Sequence, residues 1–181
     1  MRVISGKYKG MTIKGFNQEK TRPTMARVKE SLFSMIQTKV KGSVVLDLFA
    51  GSGSLGIEAL SNGSKSCYFV EANKKMFSIL KNNLINLKLE EDYYLTNNDY
   101  VYALKDFSKN KLKFDLIFLD PPYDMHLINR VLDELIKYDL LASDGQVICE
   151  YTDEIIENNG YEIIKDKKYG SKKIRILQRR N

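Results

Sequence analysis

Asp120, Pro121, Pro122 and Tyr123 follow a continuously apolar run and form the most chemically specific segment of the chain. The Asp120 carboxylate is an anionic acceptor, and two successive prolines stiffen a backbone whose carbonyl oxygens can also accept hydrogen bonds. Tyr123 adds an aromatic face on which a planar base can stack. Two acceptors that hold the hydrogens of a nucleobase amine can draw its lone pair out of the ring plane, so the segment predicts methyl transfer to nitrogen. The alternative is a plain turn, because Asp-Pro-Pro ends any strand.

A glycine-rich turn provides a second candidate site. Gly51, Gly53 and Gly56 form a Gly-x-Gly-x-x-Gly pattern, which lies between a predicted strand and a predicted helix. Glycines ahead of a helix N-terminus let backbone amides approach a ligand closely, and both a dinucleotide and S-adenosylmethionine suit such a turn. We therefore predict cofactor contacts from this turn, including Phe49 and Ser52.

Asp47 separates the two cofactor candidates by charge. It lies four residues before Gly51, where a carboxylate would repel a pyrophosphate but attract the ammonium and sulfonium groups of S-adenosylmethionine. Opposite charges about 4 Å apart at a partly exposed site attract each other by roughly 4 kcal/mol before desolvation. Asp47 therefore favours the cationic cofactor, although the same carboxylate could serve only to cap the turn.

Polar residues at the ends of two further strands complete the predicted cofactor site. Glu71 ends the second predicted strand, where folds of this type place an acidic residue on the ribose hydroxyls, and it supports a nucleotide without selecting one. Asn98 and Asp99 follow the third strand and could accept a hydrogen bond from an adenine amino group or cap the next helix; both interpretations stay open. Asp47, Glu71, Asp99 and Asp120 are expected to converge at one edge of the sheet.

Length and composition indicate a single globular protein of the cytoplasm. With 181 residues the chain has room for a core but not for a second catalytic domain, and its 43% hydrophobic and 29% charged content is ordinary for a soluble protein. No apolar run approaches the ~20 residues that cross a bilayer, and the first residues lack a signal-peptide core. Cys67, Cys149 and the single His126 are not spaced as a metal site, so no metal is predicted.

Basic residues are concentrated at the two ends of the chain. Residues 1–29 contain eight Lys or Arg and one acidic residue, and residues 161–181 contain eight and two, while the whole chain has a net charge of +6. A phosphate-rich partner would meet these ends, although basic ends can also serve solubility alone. The predicted RNA contacts are Lys7, Lys9, Lys14, Arg22 and Arg27.

Apolar periodicity predicts an α/β fold with a small N-terminal extension. Residues 1–22 predict a basic β-hairpin, and helical spacing from Thr21 to about residue 40 begins the main domain, residues 23–181. Strand and helix then alternate, which is typical of a mostly parallel sheet with helices on both faces. The predicted strands are 44–49, 66–71, 92–96, 114–119 and 146–151, the helices are 54–62, 73–88, 98–108 and 125–138, and a terminal antiparallel hairpin joins 161–165 to 173–178, which makes seven strands.

Four stretches together resemble the RsmD-type family of 16S ribosomal RNA guanine-N2 methyltransferases. The glycine-rich turn with its strand and the Asp-Pro-Pro-Tyr segment are common to many methyltransferases. The other two stretches are more particular to the family, and the resemblance runs over nearly the whole chain. The four stretches are residues 2–10, 21–33, 46–60 and 114–123.

The resemblance implies a class I, Rossmann-like methyltransferase that takes a methyl group from S-adenosylmethionine and modifies one guanine of small-subunit RNA. It implies that the glycine turn with Asp47, Glu71 and Asp99 contacts the cofactor, and that residues 120–123 hold the guanine. It further suggests the assembled ribosomal subunit as substrate, and the protein is expected to act as a monomer. Lys9 stands where the family often has arginine; lysine keeps the charge but loses bidentate phosphate recognition.

Other activities fit less of the chain. An NAD-dependent oxidoreductase would use the glycine turn but needs a proton relay, and neither Tyr-x-x-x-Lys nor a histidine pair is evident. A protein glutamine methyltransferase must also hold an amide nitrogen, but it usually has Asn where this chain has Asp120. A DNA adenine methyltransferase would need a target-reading domain, and a non-catalytic RNA-binding protein has no use for Asp47 together with Asp120.

Overall fold

A computed structural model of the protein describes residues 1–15, 23–122, 125–157 and 159–180. For residues 23–25 it describes the backbone but not the side chains. Within these ranges the structure has five helices and seven strands, and helix and strand alternate as far as the fifth strand, as the periodicity predicts. The helices are α1 Pro23–Val40, α2 Ser54–Ser61, α3 Lys74–Leu87, α4 Tyr100–Lys109 and α5 Ile128–Lys137. The strands are β1 Val44–Asp47, β2 Ser66–Val70, β3 Asp92–Thr96, β4 Phe114–Leu119, β5 Leu141–Tyr151, β6 Tyr161–Tyr169 and β7 Lys172–Arg179.

All seven strands form one mixed sheet in the order β3-β2-β1-β4-β5-β7-β6. The five strands from β3 to β5 are parallel, and β7 runs antiparallel to both β5 and β6. The expected mostly parallel sheet is therefore a parallel core continued by an antiparallel pair. The cause is local: only Gly170 and Ser171 connect β6 to β7, and so short a turn joins antiparallel neighbours only.

The central strands are buried on both faces, as their unbroken apolar runs predict. Every residue from Leu116 to Leu119 on β4 is fully buried. Helices α1, α2 and α3 pack on one face with Leu32, Ile57 and Leu80 among their core residues, and α4 and α5 pack on the other. Parallel strands covered on two faces need apolar side chains throughout, which is why these runs do not alternate.

The observed strand boundaries differ from the predictions mainly near the C-terminus. β5 begins at Leu141 rather than at 146, because Leu141 pairs with Phe114 before an irregular step brings Gln146 opposite Leu116. β6 extends to Tyr169 instead of ending at 165. It is an edge strand whose Lys and Asp side chains stay in solvent, so charge does not stop the strand there.

The N-terminal segment is paired with itself but also packed into the main core. Arg2 and Thr12 form an antiparallel bridge, with the surrounding backbone hydrogen bonds of a hairpin. The side chains of Val3, Tyr8 and Ile13 are buried in the same cluster as α1 and α2. The predicted hairpin over residues 1–22 lies partly outside the described residues, and its separation from a 23–181 domain stays a prediction.

A buried carboxylate of α2 fastens this segment to the main domain. Glu58 on α2 is fully buried and accepts hydrogen bonds from the amides of Ile4 and Ser5 at 2.8 to 3.0 Å. Its Oε2 also lies 2.9 Å from the Lys29 ammonium of α1, which in turn donates to the Arg2 carbonyl at 3.0 Å. Glu58 thus joins three elements through its two oxygens. Among the described helices, none combines the length and apolarity that a membrane span requires.

Candidate active site

A cleft of about 1570 Å³ opens at the carboxyl ends of the parallel strands, where α/β sheets bind ligands. Residues from the ends of β1, β2, β4 and β5 line it, together with the start of α1 and the β6–β7 turn. The predicted site residues that line it are Asp47, Phe49, Gly51, Ser52, Glu71, Asp99, Asp120, Pro121 and Pro122. The cofactor residues and the Asp-Pro-Pro segment therefore share one cleft, while Gly53 and Asn98 lie outside its lining.

The glycine turn is shaped by backbone conformation and close packing. Gly51 and Gly53 have φ values of 54° and 85°, in the left-handed region that side chains disfavour. A Cβ on Gly53 would lie 2.5 Å from Leu80, and one on Gly56 would lie 2.2 Å from Phe69 of β2. The glycines therefore let α2 and α3 approach the sheet closely, while Gly51 stays open toward the cleft.

Asp47 at the end of β1 both closes the turn and faces the cleft. Its Oδ2 accepts a hydrogen bond from the Gly56 amide at 2.9 Å, inside the first turn of α2. Burial raises the pKa of Asp47 to about 7, the Gly56 amide opposes the shift, and nearby Glu71 adds to it. A buried carboxyl with this pKa gains most from a cation placed beside it, because the cation favours the charged form. The two interpretations of Asp47, turn cap and cation contact, are thus compatible.

The other two predicted cofactor carboxylates are also fixed by backbone amides. Glu71 accepts from the Gly51 amide at 2.8 Å and from the Asn73 amide at 2.7 Å, so it braces the glycine turn from the end of β2. Asp99 caps α4 by accepting from the Val101 amide at 2.8 Å, and Asn98 accepts from the Asp99 amide. The capping interpretation is the observed one in this structure, and adenine contact by Asp99, which lines the cleft, stays a prediction.

Asp120 lies directly after β4 and is half-buried at the base of the cleft. Burial raises the pKa of its carboxyl well above the ordinary value, Glu150 and Asp47 raise it further, and Lys172 opposes them. Pro121 beside it is buried and Pro122 is exposed, which leaves a rigid rim above the strand end. Tyr123 lies outside the described residues.

Glu150 and Lys172 are cleft residues that the sequence analysis missed. Cys149 of β5 pairs with Leu119 of β4, so Glu150 stands beside Asp120 on the neighbouring strand. The Glu150 carboxylate forms an ion pair with the Lys172 ammonium at the start of β7. Glu150 ends an apolar run just as Asp120 does, so the rule that strand ends carry site residues would have found it. No comparable local signal marks Lys172, because the hairpin brings it to the cleft.

The chain is similar to known proteins over most of its length. The sequence profile of a family described as Conserved hypothetical protein 95 matches residues 1–178. YlbH of Bacillus subtilis is 43% identical over 155 residues, covering 86% of this chain and 84% of that protein. Ribosomal RNA small subunit methyltransferase D of Haemophilus influenzae is 34% identical, covering 98% and 93%.

The solved structure of the methyltransferase yhhF from Escherichia coli superposes with a TM-score of 0.85 at 27% identity, covering 99% of this chain and 97% of that one. The chain belongs to the RsmD-type methyltransferase family. The resemblance seen in the four sequence stretches is confirmed, and the fold is an α/β methyltransferase fold.

The basic residues that the sequence predicts as RNA contacts lie in different places. Lys7 forms ion pairs with Glu90 at 2.8 Å and Glu91 at 3.1 Å, which raise the pKa of its ammonium. Glu91 directly precedes β3, so this cluster sits at the amino edge of the sheet, opposite the cleft. Lys9 is exposed in the same turn.

Two other predicted contacts lie elsewhere, and one is not described. Lys14 is exposed, and its backbone is held by the Asn83 side chain of α3 through two hydrogen bonds. Arg27 is exposed near the start of α1, between Ala26 and Val28, which both line the cleft. Arg22 lies outside the described residues. Arg27 is therefore the described member of the predicted set that is closest to the cleft by its neighbours in the chain.

Proposed function

We propose that this protein transfers a methyl group from S-adenosylmethionine to the N2 amine of a guanine in small-subunit ribosomal RNA. One observation carries the proposal: Asp47 and Asp120, which would serve donor and acceptor respectively, line the same cleft. Methyl transfer requires the two reactants to meet in line, so residues serving them must open into one space. The names and fold of the RsmD-type relatives support the same reaction class.

The residues at the β1 and β2 ends suit S-adenosylmethionine by their chemistry. Asp47, Glu71 and Asp99 supply carboxylate acceptors, and the donor offers an ammonium group, two ribose hydroxyls and an adenine amine. Asp47 would bind the ammonium group directly or through water, Glu71 would bind the ribose hydroxyls, and Asp99 would bind the adenine amine. Gly51 leaves room for the cofactor beside them, because even a Cβ there would meet only Met76, at 3.9 Å. When bound, the cofactor supplies a methyl group on a positively charged sulfur. A pyrophosphate would instead place two negative charges against this acidic set, which disfavours NAD.

At the other end of the cleft, Asp120 would orient the guanine amine. Its carboxylate and the carbonyl beside Pro121 can each accept one amine hydrogen, which turns the nitrogen lone pair toward the donor. Asp120 or water can then take the proton released on methylation, because the methylated nitrogen is strongly acidic until it loses that proton. The guanine must be unstacked to reach this depth, and Tyr123 would stack against it.

Contacts to the RNA backbone would come from basic side chains. Arg27 at the start of α1, Lys14 and Arg22 would meet phosphates, whereas Lys7 and Lys9, at the edge opposite the cleft, would do so only if the RNA wraps the protein. We further propose that the substrate is the small ribosomal subunit, that the protein acts as a cytoplasmic monomer, and that it needs no metal. Among the described residues, no three metal-binding side chains cluster together.

Transfer of radiolabel tests the proposal. Small ribosomal subunits from a strain lacking the protein are incubated with it and with methyl-labelled S-adenosylmethionine, and the RNA is digested to nucleosides. We expect the label in N2-methylguanosine at one position, and none in subunits from a strain that retains the enzyme, because that site is already modified. Label in adenosine, in protein or at many positions would contradict the proposal. Naked ribosomal RNA in a parallel reaction distinguishes the free RNA from the subunit.

A further inference from the structure

Three charged side chains at the acceptor end of the cleft form a row across neighbouring strands. Asp120 follows β4, Glu150 lies on β5 and Lys172 begins β7, and these strands are adjacent in that order. Leu119 pairs with Cys149, so Asp120 and Glu150 share a face of the sheet. Glu150 pairs with Ile174, two residues after Lys172, which places Lys172 on that face as well.

The row has a definite pattern of hydrogen-bonding groups. An ionised carboxylate only accepts, whereas an ammonium group only donates, so the row reads acceptor, acceptor, donor. All three residues line the cleft. Glu150 and Lys172 are mostly buried and hold each other in an ion pair. One ion pair does not use every hydrogen-bonding site of either group, because an ammonium has three hydrogens and a carboxylate has about four lone-pair sites.

The Watson–Crick edge of guanine carries the complementary pattern. Its N2 amine and N1 hydrogen are donors and its O6 is an acceptor, in that order along the edge. Adenine presents an amine at C6 and an unprotonated N1, so it would place an acceptor against Glu150 and a donor against Lys172. Cytosine would also bring an acceptor, its N3, against Glu150. A mismatched base would set a ring-nitrogen lone pair against the Glu150 carboxylate, and adenine would also set an amine against the Lys172 ammonium; bringing two acceptors or two donors together in a buried site is costly.

We propose that Glu150 and Lys172 determine the base specificity of this site by reading N1–H and O6 of the target guanine. This inference rests on the proposed function, since it assigns residues to the base whose N2 amine Asp120 would hold. The pair does not act on the reacting nitrogen; it fixes the base so that only guanine presents an amine at Asp120. The burial of a charged pair in the cleft, which costs desolvation, is then accounted for by recognition.

An analogue that keeps the amine but removes the read groups tests the inference. 2-Aminopurine has the amine at C2 but neither O6 nor the N1 hydrogen. It replaces the mapped target guanine in small-subunit RNA ligated from synthetic and transcribed pieces and assembled into subunits. We expect wild-type protein to prefer guanine over 2-aminopurine in kcat/KM by at least about 100-fold, as sites that bind polar groups reject analogues lacking them.

The decisive variant removes both charges together. Lys172→Met alone would remove the positive charge that is paired with the buried Glu150 carboxylate and could unfold the protein, so the double variant Glu150→Gln, Lys172→Met is used. We expect its preference for guanine to fall at least tenfold, because methylation of guanine slows while that of 2-aminopurine does not. Lys173→Met is the matched control, because Lys173 lies over the Tyr151 ring and not in the cleft lining; its preference should equal that of wild type.

The outcomes separate this inference from the proposed function. If wild-type protein does not methylate guanine, the proposed function is wrong and the inference is wrong with it. If wild-type protein methylates guanine and 2-aminopurine equally, or if the folded double variant keeps the full preference, only the inference is overturned. Unchanged thermal unfolding and cofactor affinity establish that the double variant is folded.

Discussion

The two ends of the cleft are built differently. At the cofactor end, Asp47, Glu71 and Asp99 each accept hydrogen bonds from backbone amides near their own strand end or from the glycine turn. At the acceptor end, Asp120, Glu150 and Lys172 act on one another through side-chain charges from three strands. Carboxylates that are held by backbone amides keep their positions whichever ligand is present. The charged side chains at the acceptor end instead determine which base fits. The cofactor end is thus a scaffold, and the acceptor end carries specificity.

Asp120→Ala tests this division most severely. If the acceptor end holds only the base, the variant should lose about 10³-fold in turnover, within the range for removing a positioned acid or base, and keep its cofactor affinity within about twofold. Single-turnover methylation and isothermal titration measure the two quantities. Asp120→Asn, which keeps the shape and one acceptor, should recover part of the rate. Equal turnover in Asp120→Ala and wild-type protein would refute the mechanism.

Glu58 and Lys29 join α1 and the N-terminal segment to α2, the helix that follows the glycine turn, so their loss tests how firmly these elements are held together. Lys29 on α1 donates to Ser54 at the start of α2 at 3.1 Å and is paired with the buried Glu58. Glu58→Gln leaves the Lys29 ammonium without its counter-charge, and we expect the free energy of unfolding to fall by about 3–5 kcal/mol. Chemical denaturation measures it.

The partly exposed pair Glu134 and Lys137 of α5 is the matched control for this prediction, since the side chains are 19% and 61% exposed. Glu134→Gln removes the same kind of charge from a pair that water reaches, where the expected loss is under about 1 kcal/mol. A similar small loss in Glu58→Gln would mean that the buried pair does not hold α1 and the N-terminal segment to α2.

The sequence predicts site residues that depend on their neighbours in the chain better than residues whose partners are distant in the chain. The glycine turn, Asp47 and Asp120 are predictable because each depends on residues close in the chain, a strand followed by a turn. Glu150 follows the same rule because it lies near the end of the fifth strand, and applying the rule to that strand end would have predicted it. Lys172 and the Lys29–Glu58 pair are not predictable in this way, because partners 22 and 29 residues away meet only when the sheet forms.

Protonation of Asp47 offers a more graded test of the cofactor end. Its pKa of about 7 lies above the unfolded value of about 3.9. The folded protein therefore holds a proton between pH 4 and 7 that the unfolded chain has lost, so this group lowers stability as pH rises through that window. A cationic cofactor favours the ionised form, so cofactor affinity should rise with pH up to about 7 and then level off.

Asp47→Asn should remove both pH dependences. We expect a 10- to 100-fold weaker cofactor affinity at pH 8, in line with the loss of one charge-assisted contact, and a flat affinity between pH 6 and 8. Titration calorimetry in two buffers of different ionisation enthalpy should detect proton release on binding in wild-type protein at pH 7 and none in the variant. A pH-independent wild-type affinity would mean that Asp47 only caps the turn.

The smallest expected effect concerns the basic residues of the stretch 1–29, which are close in sequence but lie at different places in the fold. Arg27 is exposed between two residues that line the cleft, so Arg27→Ala should weaken RNA binding about threefold to tenfold and reduce the salt dependence by about one counterion. Lys7 is held by Glu90 and Glu91 at the opposite edge, so Lys7→Ala should leave both quantities unchanged. Filter binding to small-subunit RNA across salt concentrations compares the two variants. Equal losses would mean that RNA reaches both edges of the sheet, and the acceptor end would then be only part of a surface that encircles the protein.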